Sequence, residues 1–419
     1  MPKSFEPKSI DIAQRAISGQ ISAIHQTERL SLHQTGGRIL AADIPSPKDV
    51  PEHPLSAMDG YSLSSQALNK AIPQIPLTLQ VLGKSLAGHS LQGQAKTDAC
   101  VRIFTGAVVP AGHDTVIAQE LVQVSQDGST ISFDAKAVKP FANVRARGED
   151  LRLNDAALSA GTIIGPREIA LLASIGIGQI QVVRQVRVAV LSTGDEVVEP
   201  GAPLNPGKTF DANRPMILEM VRNAGAQPLD LGIVRDDAQS LETAIRHAAE
   251  VADAVITSGG VSVGEADHTR QVMQSLGEIE FWKLAIKPGR PLAAGWVQGR
   301  PSSKTRVPFF GLPGNPVAAF VTFTSVVLPC LQKLSGATPQ SRPPIRARLA
   351  QPAKKVPGRT EYLRCALRRD AQGEWIAEIA ASQGAASLKS LVDADGLVVL
   401  PHDAGPMEAG TAVDVIVLR

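Results

Sequence analysis

Acidic and glycine-rich clusters follow the apolar runs of this chain at regular intervals. The run 188–193 ends in Thr193-Gly194-Asp195-Glu196, and Asp211 and Asn213 stand before the next helical stretch. The run 229–234 ends in Asp236 and Asp237. A glycine-rich exit, Ser258-Gly259-Gly260-Val261-Ser262-Val263-Gly264, leads to Asp267. In an open α/β sheet such positions converge beyond the carboxyl ends of the strands, where ligands sit. Carboxylates crowded there repel one another unless a cation or ligand neutralises them. Oxygen-only donors beside a phosphate-sized loop favour Mg2+, which binds through one or two carboxylates, waters and substrate phosphates. Glu196, Asp236 and Asp267 are assigned to that metal zone. Gly259, Gly260 and Gly264, flanked by Ser258 and Ser262, let the backbone approach an anion and aim N–H groups at it. No Gly-Lys-Ser/Thr follows, so this is not a Walker loop.

Cations face this acidic set in Lys283-Leu-Ala-Ile-Lys287-Pro-Gly-Arg290-Pro291. Strand alternation puts Lys283 and Lys287 on one face, and Pro288-Gly289 turns Arg290 back toward the strand end. Such a hook suits a tetrahedral oxyanion or a phosphate. The loop Gly311-Leu-Pro313-Gly-Asn315-Pro316 precedes an apolar helix and reads as a rigid pocket wall. Asp59-Gly60, taken alone, is a turn. Alternating IRARL and YLRCALR after residue 341 put basic groups on one face of a small sheet, as a solvated outer face or as an anion-binding wall. The eight histidines are scattered and no Ser-His-Asp, Cys-His or HExxH grouping occurs, so covalent catalysis is not expected.

These residues need a scaffold. From about residue 185 strands and helices alternate: QVRVAVLSTGDE, a helix in NRPMILEMVRNAGA with Asn213 as N-cap, PLDLGIVRDD, a helix SLETAIRHAAEVA capped by Ser240, ADAVITSGG, a helix through RQVMQSL, a strand in FWKLAIK, and FFGLPGNPVAAFVTFTSVVLPCLQKL as strand, turn and apolar helix. That alternation predicts a doubly wound sheet with helices on both faces. Apolar positions from Ile10 to Ile24 predict an N-terminal helix docking on a distant part of the chain. LTLQVLG, ISFDAKAV and TDACVRIFTGA predict a separate β-rich module.

With 419 residues, the length prior is about three domains at roughly 150 residues each. Lys plus Arg is 42 and Asp plus Glu is 40, giving net charge +2; only 4% of residues are aromatic. That balance argues against a nucleic-acid protein, which needs a basic face or stacking aromatics. Cys100, Cys330 and Cys365 are far apart in sequence, which excludes a disulfide framework and a zinc cluster. No run approaches the roughly 20 apolar residues of a membrane span, and the first residues lack the apolar core of a secretory signal; a cytoplasmic protein is expected.

The segments SAMDGY (56–61), RIFTGA (102–107), RGED (147–150), STGDE (192–196), DANR (211–214), RDD (235–237), SGGVSVGEADH (258–268), KPGRP (287–291), GLPGNPV (311–317) and GRTEYLR (358–364) together resemble the molybdopterin molybdenumtransferase family, and with it the catalytic E domain of gephyrin. The resemblance implies four parts: a doubly wound α/β domain from residues 1–26 and 185–341, a linking domain from 27–45 and 154–184, a β-rich domain over 46–153, and a C-terminal β-barrel over 342–419. It implies a homodimer, with the active cleft between the doubly wound domain of one subunit and the β-rich domain of the other. The implied reaction is Mg2+-dependent insertion of molybdate into adenylylated molybdopterin, releasing AMP and yielding molybdenum cofactor.

On the family pattern Asp59, Thr105 and Asp150 join the catalytic set with Glu196, Asp236, Asp267, Lys283 and Lys287. Arg290, Pro313, Asn315, Pro316, Arg359, Arg364 and Ser387 join the glycine loop in binding. Ala318 stands where many members carry Ser, Arg290 where Lys is common, and 383–387 is poor in hydroxyls; these departures bear on molybdate against tungstate. Another class of reading is a non-catalytic pterin-binding or scaffold protein of the same fold, which the retained charged residues disfavour. The related adenylyltransferases share the Gly-Gly loop and Asp267 but lack the flanking domains.

Overall fold

The structure, a computed structural model, describes residues 7–91, 93–259, 272, 275–299, 306–338 and 343–418. The chain divides into two units, one of residues 1–41, 161–164 and 181–419, the other of 42–160 and 165–180.

The first unit holds a six-stranded sheet in the order Gln227–Val234, Arg187–Thr193, Ala254–Ser258, Arg306–Leu312, Pro291–Gln298, Gly277–Lys283. The first four are parallel, and the last two add antiparallel pairs. The sheet is covered on both sides, which explains why its strands read as unbroken apolar runs. Phe309 and Phe310 are consecutive, point to opposite faces, and are both fully buried in different cores. Helix Ala238–Val251 packs its Leu241 and Ile245 with Phe309; helices Ile10–Ser18, Asn213–Asn223 and Pro316–Leu334 pack with Phe310. The expected α/β architecture with helices on both faces is therefore present. The strand Pro291–Gln298 was not foreseen; a proline is tolerated at its first position. The helix expected through RQVMQSL lies largely outside the described residues.

Helix Pro316–Leu334 is 19 residues long and apolar enough to cross a membrane by length and composition, more than the sequence reading allowed for. Its apolar side chains, among them Phe323, Val327 and Leu331, instead fill the core. A π-helical turn, Phe323–Val327, interrupts it, and the Gln14 side-chain amide of the N-terminal helix donates to the Ser325 carbonyl there. The anticipated distant docking of that N-terminal helix is this contact.

Residues 345–417 form the second sheet of this unit. Thr360–Arg369, Trp375–Ile379, Ile345–Leu349, Ala412–Val417 and Gly396–Leu400 pair in that order, and the last pairs back with the first. The result is a closed five-stranded barrel around Leu363, Cys365, Ala377, Val398 and Val415. In the other unit a six-stranded sheet runs Thr115–Ala118, Gly60–Leu63, Ala99–Ile103, Leu77–Ser85, Thr130–Phe133, Gln123–Val124, over a core of Leu63, Cys100, Ile117 and Ile131. The strand expected through ISFDAKAV stops at Phe133, because the Asp134 side chain accepts from Lys136 N–H and caps a 3-10 turn. All three cysteines are buried, and burial pushes each thiol up to about 12.

Helix starts correct two assignments. Asp237, not Ser240, caps Ala238–Val251: its carboxylate accepts the Ser240 N–H at 2.9 Å and the hydroxyl at 2.7 Å. Asn213 is the first residue of Asn213–Asn223 and not its N-cap, which is Ala212; the Arg214 N–H goes to Asp211, and the Arg214 guanidinium bonds Asp211, Asp230 and Glu199. Part of the acidic excess expected at this sheet edge is thus neutralised by a buried arginine. Arg214→Leu should destabilise the protein by about 3–5 kcal/mol in urea unfolding, because it strands the buried Asp211 carboxylate without its partner.

Candidate active site

Strand Arg187–Thr193 delivers Gly194 with φ +137°, where a Cβ would lie 2.7 Å from a Glu196 carboxylate oxygen. Glycine here lets Glu196 fold back over the strand end. On the neighbouring strand end Thr193 Oγ1 donates to Asp236 at 3.5 Å and Asp236 N–H reaches Asp195 Oδ1 at 3.4 Å, so these acids adjoin through the Thr193–Glu196 turn. Asn213 serves as a tie: its Nδ2 donates to Ser258 Oγ and to the Gly314 carbonyl, each at 2.8 Å, linking two strand ends. Gly259, with φ +90°, donates to Leu312 and sits where a Cβ would be 2.4 Å from the Thr193 carbonyl. Gly260, Ser262, Gly264 and Asp267 lie outside the described residues.

The cationic hook differs from expectation in one respect. Lys283 ends its strand opposite Pro291, and the chain then leaves the sheet; Ile286–Lys287 pairs instead with Thr360–Glu361 of the barrel. The two lysines therefore do not share a strand, and the alternation argument fails for them. The hook is closed by Leu284 N–H donating to the Arg290 carbonyl at 2.6 Å. Gly289, at φ +101°, packs so tightly on helix Pro316–Leu334 that a Cβ would come within 2.5 Å of Thr322 Oγ1.

Lys287, Arg290, Glu196, Pro313, Asn315 and Ala318 line one cleft of about 620 Å³, together with Gln383 and Ala385 of the barrel. Opposite charges from a strand end and from the hook thus meet in a single concavity. Pro316 starts the helix behind it, and Val317 N–H donates to the Ala385 carbonyl at 3.0 Å, holding the loop 382–387 against the cleft. Ala318, buried in the cleft wall, presents a methyl there and no hydroxyl.

The basic residues of the barrel are divided between its interior and its outer surface. Arg364 is fully buried beneath the loop 382–387, donating to the carbonyls of Ser382 and Gly384 at 3.1 Å each. Its Nε and Nη1 have no partner among the described residues, and desolvation holds its pKa below the ordinary arginine range. Ser387 accepts from the Ser382 hydroxyl at 3.2 Å in the same loop. Arg346 and Arg348 instead lie outside, paired with Asp414 and Glu374, so the basic stripe does not act as one wall. Arg359 is turned onto Glu361. The resemblance pointed to the segments 383–387 and 358–364 without singling out Gln383, Ala385 or Glu361, which long-range contacts bring to the site.

In the other unit, Asp59 Oδ1 accepts from both the N–H and the hydroxyl of Thr105 at 2.8 Å. These bonds hold the Asp59 carboxyl below its usual range. Asp59 and Thr105, quoted in separate motifs, are thus tied to one another within this unit. Asp150 is exposed, and its N–H donates to Val50.

Among the described residues no group of three or more His, Cys, Asp or Glu is arranged around a metal position. Glu196 and Asp236 are exposed carboxylates on adjoining turns, a donor chemistry that fits a hydrated Mg2+ ion.

Three family profiles match the chain: "MoeA N-terminal region (domain I and II)" over residues 8–176, "Probable molybdopterin binding domain" over 189–333, and "MoeA C-terminal region (domain IV)" over 346–418. A molybdopterin molybdenumtransferase of Haemophilus influenzae is 40% identical over 408 residues, covering 97% of this chain and 98% of that protein. One from Bacillus subtilis is 31% identical, covering 94% and 90%. The crystal structure of a molybdopterin biosynthesis MoeA protein from Pyrococcus horikoshii superposes with a TM-score of 0.79 at 30% identity, covering 99% of this chain and all of that one. The chain belongs to the molybdopterin molybdenumtransferase (MoeA) family, transferases of molybdenum cofactor biosynthesis.

Proposed function

We propose that this transferase inserts molybdenum from molybdate into adenylylated molybdopterin in a Mg2+-dependent reaction that releases AMP. The observation that carries the proposal is the cleft in which Glu196 faces Lys287 and Arg290. Lys287 supplies a compact point charge and Arg290 a planar fork of donors, and the two together hold a tetrahedral oxyanion. Arg364, with two buried donor nitrogens unmatched among the described residues, adds positive potential behind the loop that carries Ser387. Lys283 and Arg359 extend this cationic side.

The nucleotide half is assigned to the turns around Ser258 and Gly259, with Gly260, Ser262 and Gly264, and to the rigid wall Pro313, Asn315 and Pro316. Mg2+ would be held by Glu196, Asp236 and Asp267, and when bound it polarises the pyrophosphate linkage. The chain's own carboxylates would hold the metal and, only through it, the phosphates, while the cationic side presents the oxyanion. The four-part division of the chain, the homodimer and a cytoplasmic location belong to the same proposal. So does the service of Asp59, Thr105 and Asp150 to the cleft of the other subunit.

Purified protein should release AMP from adenylylated molybdopterin only when molybdate and Mg2+ are both present, measured by chromatography; release without molybdate dependence would contradict the assignment. Lys287→Met should lower kcat/KM by about 100-fold, the usual size for removal of one anion-stabilising group. Asp59→Asn and Lys287→Met should each lose most activity alone. Co-expressed, they should recover activity through mixed dimers with one intact site; no recovery would place the two residues in the same subunit's site or in none.

A further inference from the structure

Glu361 is a buried carboxylate, 2% exposed, at the point where the hook joins the barrel. Its Oε1 accepts from Arg359 Nε at 2.9 Å, a hydrogen-bonded counter-ion for the buried charge. Its Oε2 lies 3.6 Å from Lys287 Nζ, an ion pair without a hydrogen bond. The Lys287 side chain is 51% exposed and lines the cleft. Lys355, buried nearby, donates its ammonium hydrogens to the carbonyls of Val356 and Arg359 and reaches Glu361 only through the field of its charge. Lys287 is thus shared between a fixed negative charge behind it and whatever anion enters in front.

We infer that Glu361 sets the affinity of the cleft for its oxyanion, acting through Lys287 as a built-in competitor. The inference rests on the reading of this cleft as an oxyanion site. A transferase must let go of the oxyanion as the product forms, and tight ground-state binding does not accelerate transfer. With Lys287 and Arg290 in the cleft and Arg364 behind the loop, the positive potential is high. A rigid buried carboxylate lowers it without blocking entry. Glu361 is on this account a positioning and affinity-setting residue that touches no substrate.

The test is direct molybdate binding by equilibrium dialysis on the intact purified protein, with thermal unfolding as a check on folding. Glu361→Gln keeps an acceptor for Arg359 and removes the charge. It should bind molybdate more tightly, on the order of tenfold, as expected when a competing carboxylate 3.6 Å from the Lys287 ammonium no longer draws on its charge. General damage to the fold would weaken binding, so the direction separates the two explanations. In the Lys287→Met background the same substitution should give less than half of that gain, because the effect passes through Lys287. Should Glu361→Gln fail to fold, Glu361→Asp, which draws the charge back by one methylene, should tighten binding by about twofold. Unchanged or weaker binding in the folded variant, or a full gain without Lys287, overturns the inference. A wild-type protein that binds no molybdate overturns the underlying reading of the cleft instead.

Discussion

Two residues of main chain, Ile286 and Lys287, leave the α/β sheet and hydrogen-bond in parallel to Thr360 and Glu361 of the barrel. This short pairing determines where the cleft is. Without it, nothing would hold Lys287 beside the barrel, and the loop 382–387, tied to the helix at Val317, would face no cationic turn. With it, a strand end rich in carboxylates, a proline-glycine turn carrying cations and a barrel loop form one cavity. Gly289 makes the arrangement tight, since its missing side chain lets the turn rest on helix Pro316–Leu334.

Charge is managed in the same economical way on both sides of the cleft. Arg214 draws together Asp211, Asp230 and Glu199, and does not reach Asp195, Glu196 or Asp236, which stay exposed near the strand ends. On the cationic side Glu361 occupies Arg359 and partly occupies Lys287, whereas Arg364 meets only carbonyl oxygens among its described partners. A buried guanidinium without a carboxylate is costly. Its retention beneath a cleft-lining loop is consistent with an anionic ligand in front of that loop.

How much was legible beforehand follows from the range of the interactions. The strand–helix alternation was readable because both faces of the sheet are covered, so Val188 to Leu191 and Val307 to Phe310 announce themselves as apolar runs. Glu196, Lys287, Arg290, Pro313 and Asn315 were identifiable because local turn chemistry places them at strand ends. The relation of Lys283 to Lys287 was misjudged because strand alternation assumes one continuous strand, and the barrel, seventy-odd residues further on, captures the second lysine. Asp237 and Ser240 exchanged roles because either type can cap a helix and spacing alone does not decide between them. Glu361 sat within a quoted motif, yet its significance depends on burial, which the motif does not reveal.

The hook also draws on the far end of the chain. Lys8 bridges its base, donating its N–H to the Lys283 carbonyl at 2.8 Å and accepting from Ala285 N–H at 2.7 Å. Segments near residues 8, 285 and 360 must therefore all be present before the hook takes its final shape. During synthesis on the ribosome, the cleft is among the last features to assemble, and a nascent chain arrested before the barrel has a formed sheet but no closed grip for an anion.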